Sequence, residues 1–386
     1  MKKIIVSILV FSGFTVTAAA DNSARLPRVY AGTTHSVAVD SRGGLWCWGD
    51  NYYGQIGNGK QTKYGGDFRI LENNNASRPV KIMSNIACAA AGDGFTLALS
   101  NTGVLYGWGN GTLVPSEIMN NVVYVEAHGN AAMIIKTDES LWIWNQSDKT
   151  GGPFASARKI CDKVKGAALG DNSLVVLIRN DVLFVSRPYS RDIEPVKIMS
   201  GVREVSSGRQ QFYAVTEDGT LYSWGSNGTY GLAGVGTDEL MIMTPTYVAD
   251  NVKRVIGNGG MLIKTDNSLW VWGRIPVFVE FRKAGEVVNS GIWGDLKTYG
   301  KSPVKILDNV TDACGEYHYL AVKENGQLFS WGGNEYGQLG NGLNSVVERS
   351  EIVSGEVIDY DFDILEKNNK NEEKPKFTGF NLINIK

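Results

Sequence analysis

The chain has 386 residues, of which 43% are hydrophobic and 10% aromatic, enough to bury a large core. Its 38 Lys and Arg stand against 40 Asp and Glu, a formal net charge of -2 with no block of like charge. That balance disfavours nucleic-acid binding by bulk electrostatics, and a chain this long would divide into several domains unless a repeat united it.

In chain order, residues 1–20 read first as an export signal. Lys2 and Lys3 precede an apolar run over 4–14, and Ala18-Ala19-Ala20 places small residues where a signal peptidase reads. Cleavage is expected before Asp21, and the loss of two lysines takes the net charge from -2 to -4. The run is too short for a permanent membrane span, and no second hydrophobic span follows. The expected location is the periplasm of a bacterium or the medium around it.

One phrase then recurs seven times: a β-branched-rich strand, a tight turn, and a second strand built on Leu, an aromatic, any residue and Trp. The copies end in Leu45-Trp46-Cys47-Trp48, Leu105-Tyr106-Gly107-Trp108, Leu141-Trp142-Ile143-Trp144, Leu183-Phe184-Val185-Ser186, Leu221-Tyr222-Ser223-Trp224, Leu269-Trp270-Val271-Trp272 and Leu328-Phe329-Ser330-Trp331. Their last positions lie 36 to 60 residues apart, the spacing of a solenoid or a propeller. Each copy opens on a strand such as Ser36-Val37-Ala38-Val39 and turns through a segment such as Ser41-Arg42-Gly43-Gly44, which tolerates the backbone of a tight hairpin. In the second strand, period-two alternation puts Leu and the third residue on one face, the aromatic and the Trp on the other. Both faces are apolar, as a sheet packed between two others requires. Further strands at Pro79-Val80-Lys81-Ile82, Pro195-Val196-Lys197-Ile198 and Pro303-Val304-Lys305-Ile306 lead into small-residue segments such as Ala87-Cys88-Ala89-Ala90-Ala91-Gly92. About four short strands per unit make a propeller blade. The expected fold is all-β, a seven-bladed β-propeller of about four-stranded antiparallel blades over residues 21–363.

Two units carry long insertions, residues 60–78 in the first and 274–302 in the sixth. The second holds Val277-Phe278-Val279-Glu280-Phe281 and Ala284-Gly285-Glu286-Val287-Val288, which read as a protruding hairpin. It also holds Trp293, the only one of ten tryptophans outside the repeated strand. Long loops on compact bodies often carry function, so Trp293 is a candidate contact. Four cysteines, Cys47, Cys88, Cys161 and Cys314, lie one to a repeat beside apolar strands. An even count in an exported chain permits disulfides, in three complete connectivities, and the alternative is four buried thiols filling small sites. Residues 364–386 form a polar linker and a short apolar tail with Phe377, Phe380, Leu382, Ile383 and Ile385. The ring is expected to close where the segment near Arg28 meets residues 357–362 in the last blade.

The phrase Ala31-Gly32-Thr33-Thr34-His35-Ser36-Val37-Ala38-Val39, followed by Leu45-Trp46-Cys47-Trp48-Gly49-Asp50-Asn51-Tyr52-Tyr53-Gly54-Gln55-Ile56-Gly57-Asn58-Gly59, resembles the repeat of the regulator of chromosome condensation family. A copy nearly as full stands at Ser330-Trp331-Gly332-Gly333-Asn334-Glu335-Tyr336-Gly337-Gln338-Leu339-Gly340-Asn341-Gly342. The second, third and fourth units lack the Gly-Gln-x-Gly loop, and the fourth replaces Trp by Ser186 and Gly by Arg187. The resemblance implies a seven-bladed propeller. The family's founding activity is nucleotide exchange on a small nuclear GTPase together with chromatin binding. This chain has no basic N-terminal tail for chromatin, and export removes the GTPase unless the protein is delivered into a host cell. The family's ultraviolet-B-sensing branch carries a Gly-Trp-Arg-His-Thr phrase that is absent here. The nine repeat tryptophans are therefore expected to fill the space between blades, each worth about 2 to 3 kcal/mol when buried. Secreted bacterial propellers of this kind include protein inhibitors of β-lactamase, which grip the enzyme through aromatics in the loop before each blade's second strand.

That loop supplies the candidate binding residues. The segments Thr33-Thr34-His35, Asp93-Gly94-Phe95, Asn130-Ala131, Asp171-Asn172-Ser173, Arg209-Gln210-Gln211, Asn258-Gly259-Gly260 and Glu316-Tyr317-His318 are expected to converge around the axis on one face. Aromatic and Arg anchors dominate interface energy, so Phe95, Arg209 and Tyr317 lead, with His35, Gln211, Glu316 and His318 beside them and Trp293 on the insertion. Nothing points to catalysis, a metal or a cofactor. His35, His128 and His318 stand in separate repeats, no cluster has metal-ligand spacing, and there is no Gly-x-Ser-x-Gly elbow. Gly57-Asn58-Gly59-Lys60 lacks the spacing and the following Ser or Thr of a phosphate loop. His35 and His318, at Gly-x-x-His, are expected to tie loops to backbone groups. The function expected is an exported, monomeric, non-catalytic protein-binding module, with inhibition of another protein as one form of it, and with no nucleic-acid or membrane partner. The alternatives are a secreted effector exchanging nucleotide on a host small GTPase and, more remotely, an enzyme with its site in the central channel. N-terminal sequencing of the exported product is expected to begin at Asp21; a product that keeps Lys2 and Lys3 overturns the cleavage.

Overall fold

The computed structural model describes residues 26–66, 69–145, 157–170, 175–179, 182–186, 196–273, 281–283, 286–289 and 300–342. Among them lie six four-stranded antiparallel sheets, one three-stranded sheet and two short hairpins. The first sheet runs from Arg28–Ala31 through His35–Val39 and Leu45–Gly49 to Ala76–Met83. The second repeats the pattern with Ile86–Ala91, Phe95–Ser100, Leu105–Gly109 and Thr112–Met119. The third to sixth open on Val122–His128, Gly166–Leu169, Val202–Ser207 and Val252–Ile256, and the seventh holds Val310–Gly315, His318–Lys323 and Leu328–Gly332. The polypeptide is thus an all-β propeller of four-stranded antiparallel blades, and the Pro-Val-Lys-Ile segments form the fourth strands of the first, fourth and sixth.

Alternation on the third strand works as the repeat predicts. Leu45, Trp46, Cys47 and Trp48 are all buried. Trp46 and Trp48 pack with Leu320, Val322 and Leu328 of the seventh sheet, whereas Leu45 and Cys47 pack with Ile86, Ala98 and Trp108 of the second. One strand therefore belongs to two cores.

Hydrogen bonds fix the order of the sheets. The Trp108 indole donates to the Gln55 carbonyl at 2.9 Å, Trp272 to that of Leu232 at 2.9 Å, and Trp48 to that of Gln338 at 2.8 Å. The acceptor each time lies in the loop after the third strand of the preceding sheet, so the Trp48 bond joins the first sheet to the seventh. Asn51, Asn227 and Asn334 shape these loops, each accepting at 3.0 Å from the backbone N–H of Ile56, Ala233 and Leu339. Gly57, with φ of 81°, lies against Trp108, and a Cβ there would fall 2.5 Å from the indole nitrogen. In the second unit, which lacks the loop, Phe95 instead stands edge-on to Trp144 with centroids 4.9 Å apart.

The inner strands are joined by buried carboxylates. Glu204 accepts from the Val255 N–H at 3.1 Å, and Asp312 accepts from Val29 N–H at 3.1 Å while pairing with Arg254. Arg28–Ala31 is thus the innermost strand of the first sheet, paired with His35–Val39, and not a member of the last blade as expected. A hairpin across a short loop loses less chain entropy than closure with a distant segment. Residues 357–362 lie outside the described part, as do the signal 1–20, the tail 364–386 and Trp293.

The first insertion forms a small hairpin of Lys63–Tyr64 with Ile70–Glu72. The second contains a hairpin, Phe281–Lys283 with Glu286–Asn289, displaced along the chain from the expected strands 277–281 and 284–288, of which residues 277–280, 284 and 285 lie outside the described part. All four cysteines are free thiols, Cys47 and Cys88 buried, Cys161 and Cys314 half-buried. No helix among the described residues is long and apolar enough to cross a membrane. Trp48→Phe removes the closing indole N–H and part of its ring, and is expected to lower the unfolding free energy by about 1 to 3 kcal/mol in urea titration; an unchanged midpoint overturns the role given to this bond.

Candidate protein-binding mouth

The loops before the second strands split the predicted site in two. Residues that open the strand fold back into the wall between sheets. His35 and His318 are fully buried, as is Phe95, and Gln211 is nearly so. A Cβ at Gly92 would lie 2.2 Å from the Phe95 ring, which is why glycine stands three residues earlier. His35, Phe95 and His318 are corrected accordingly: they hold the frame and do not face a partner, while Gln211, although nearly buried, still lines the mouth. The sequence numbers them with the loop, but the first residue of a strand already takes the inward orientation of that strand.

Arg209, Glu316 and Tyr317 do come together. They line a cavity of about 850 Å³ built by loops of the fifth, sixth, seventh and first sheets. The Arg209 guanidinium lies 5.0 Å above the Tyr317 ring, so the fifth and seventh sheets clasp across the opening. Tyr317 is 51% exposed and Tyr230 39%, with Tyr336 half-buried beside them. Below, Tyr213 and Trp272 both donate to the Leu232 carbonyl, at 2.7 and 2.9 Å, and Tyr319 stacks on Trp331 at 5.5 Å. The floor is apolar and pinned; the rim is aromatic and exposed. Tyr230 and Tyr336 escaped the sequence reading because they follow the third strand, not the first. A signal was present, since Tyr-Gly recurs at Tyr53-Gly54, Tyr230-Gly231 and Tyr336-Gly337.

Beneath the mouth, and sharing Gly257 and Asn258 with it, lies a smaller axial chamber of about 140 Å³ lined by Tyr30, Tyr124, Glu126, Ser206, Arg254 and Cys314. Burial raises Glu126 and Glu204 to about 7. Glu126 accepts from the Tyr124 hydroxyl at 2.8 Å, and the Glu204 and Asp312 carboxylates hold backbone N–H groups of neighbouring sheets. Among the described residues no group of three His, Cys, Asp or Glu is placed to hold a metal ion.

The fold and the mouth define the class: a β-propeller with a cleft at one end of its axis. The regulator of chromosome condensation (RCC1) repeat matches residues 28–55, 42–99, 202–231 and 313–338, so the molecule is a β-propeller that carries RCC1 repeats in these segments. The chain is 24% identical to the guanine nucleotide exchange factor SRM1 of Saccharomyces cerevisiae, over 83% of this chain and 72% of SRM1. It is 25% identical to the ultraviolet-B receptor UVR8 of Arabidopsis thaliana, over 84% of this chain and 70% of UVR8. It is also 25% identical to the human E3 ubiquitin-protein ligase HERC2, over 86% of this chain but spanning 8% of HERC2. Among solved structures, Prp20p of Saccharomyces cerevisiae, studied with its binding to Gsp1p and histones, superposes with a TM-score of 0.63 at 19% identity, covering 87% of each chain. Human WBSCR16 superposes with a TM-score of 0.60 at 19% identity, covering 82% of this chain and 94% of its own. At these identities the structural likeness is one of fold.

The buried histidines make the frame sensitive to acid. His35 Nε2 lies 2.8 Å from Thr96 Oγ1, which donates to the Gln55 carbonyl; His318 Nε2 lies 2.6 Å from Ser36 Oγ, which donates to that of Gln338. Each hydroxyl gives its one proton to a carbonyl, so each imidazole is the neutral Nε2–H form, and the buried Nδ1 atoms have no hydrogen-bond partner. Burial lowers both histidines from 6.5 to about 3. The unfolded chain therefore binds more protons than the folded one between these values. Stability from the neutral rings is fully present above pH 6.5 and is lost as pH falls toward 3. Gln occupies the same position in the fifth sheet as Gln211, so His318→Gln keeps an N–H donor without a titrating ring. Between pH 6 and 4 this variant is expected to lose about 1.4 kcal/mol less stability per pH unit than the parent in urea titrations; parallel pH profiles overturn the assignment.

Proposed function

We propose that this chain is a non-catalytic protein-binding module whose interface is the mouth between the fifth, sixth, seventh and first sheets. The carrying observation is the cavity of about 850 Å³ with a pinned aromatic floor and the exposed Arg209–Tyr317 clasp at its rim. Concave apolar sites with a few placed polar groups are where ligands bind, and Tyr and Arg anchors carry interface energy. The three-stranded sheet counts as the seventh blade of the ring. The channel carboxylates and both repeat histidines are engaged in joining sheets, which favours binding over catalysis. That Prp20p binds Gsp1p and histones supports a protein as the partner. The module works outside the cytoplasm as a monomer after cleavage before Asp21, and inhibition of its partner is one consequence of filling this mouth.

The 24% identity to SRM1, which runs over most of both chains, favours nucleotide exchange on a small GTPase as the second reading. Capture from periplasmic extract or culture medium separates the two. One stoichiometric partner is expected, with Tyr230→Ala and Tyr317→Ala together weakening capture by about 2 kcal/mol, roughly 30-fold, while the melting temperature holds. Unchanged capture moves the interface away from the mouth. Accelerated release of labelled GDP from a GTPase supports the second reading instead.

A further inference from the structure

We infer that the mouth is a seat for a cation, and that its occupant is an Arg or Lys side chain at the tip of a loop on the partner protein. The inference rests on the mouth being the protein interface and adds the chemistry of what enters it. The first argument is the wall: Tyr230, Tyr317 and Tyr336 surround the opening and Tyr213, Trp272 and Tyr319 lie beneath it. Ring faces carry negative potential and attract guanidinium or ammonium groups within about 6 Å of their centroids. The second is charge: Glu316 and Glu335 stand at the same rim against Arg209, an acidic surplus on an aromatic surface.

The third argument is that a cation already occupies the seat. Arg209 places its guanidinium 5.0 Å above Tyr317, bridging from the fifth sheet to the seventh. Its side chain is exposed at the rim, where a partner cation entering the mouth competes with it for the Tyr317 face. Arg209 is then an internal stand-in, a competitor that the partner displaces. This reverses the role expected of it as an anchor reaching outward. A carboxylate-bearing partner would prefer Arg209 in place and would meet Glu316 and Glu335 as like charges.

The probes are acetyl-Gly-Arg-Gly-amide and the same peptide with citrulline, its neutral isostere, or glutamate in place of arginine. Binding is read by fluorine NMR on the full chain labelled with fluorotyrosine, with Tyr230→Phe, Tyr317→Phe and Tyr336→Phe assigning the signals. The arginine peptide is expected to shift these three signals at least tenfold more tightly than the citrulline peptide, with no saturable shift by the glutamate peptide. Arg209→Ala is expected to tighten the arginine peptide threefold or more by vacating the Tyr317 face. Equal binding of citrulline and arginine, preference for glutamate, or weakening by Arg209→Ala overturns the cationic occupant. If that happens while the paired tyrosine variant still loses partner capture, the mouth remains the interface and only its chemistry is wrong. If the arginine peptide binds as expected but capture ignores the tyrosines, the seat stands and the interface lies elsewhere.

Discussion

The body of this protein depends on loop carbonyl oxygens that each receive two donors, an indole N–H from the next sheet and a hydroxyl beside it. Gln55, Gln338 and Leu232 each present a loop carbonyl that accepts an indole N–H and a hydroxyl: Trp108 with Thr96, Trp48 with Ser36, and Trp272 with Tyr213. Buried carbonyls have two lone pairs, and leaving either group of donors unmade inside an apolar wall is costly. The arrangement fixes both the distance and the rotation between successive sheets. Dispersion between flat apolar faces has no such directionality, so packing alone would let the sheets slide. Apolar burial supplies cohesion, and the doubly occupied carbonyl supplies register.

The same loops build the rim of the mouth, which explains why the mouth is eccentric. The loop that lends its carbonyl to Trp272 also carries Tyr230, and the one that lends its carbonyl to Trp48 also carries Glu335 and Tyr336. The second, third and fourth units have lost the Gly-Gln-x-Gly loop. In the second, a hydrophobic ring, Phe95 against Trp144, keeps the sheets together without offering anything to the surface. The loops of the fifth and seventh units thus put Tyr230 and Tyr336 at the mouth, whereas in the second unit the ring contact serves only the frame. These loops thus serve the frame through their backbone and the mouth through their side chains.

Charge is handled differently at the two depths of the axis. On the inner strands, Glu204 and Asp312 are buried and accept backbone N–H groups from adjacent sheets, with Arg254 paired to Asp312. There the cost of desolvation is offset by ring closure. At the mouth, Glu316 is half-buried and Glu335 exposed, both beside an aromatic surface.

Much of this was written in the chain. Six copies of Leu-aromatic-x-Trp and a seventh that ends in Ser186, with a turn before and a Pro-Val-Lys-Ile strand after several of them, point to antiparallel blades because a period of two with both faces apolar calls for burial on both sides. A hairpin in the second insertion was legible for the same reason, but not its strand limits. Tertiary structure alone decided which loop residues face out. His35, Phe95, Gln211, Arg209 and Tyr317 occupy one loop position or its neighbours, yet a single residue's step along the chain separates a side chain locked between two sheets from one at the rim. Nor could sequence reveal that Tyr230 and Tyr336 meet Arg209, because loops from strands far apart in the chain converge only when the ring closes. Local pattern dictates each blade, whereas the mouth exists only as a product of how the sheets are turned against one another.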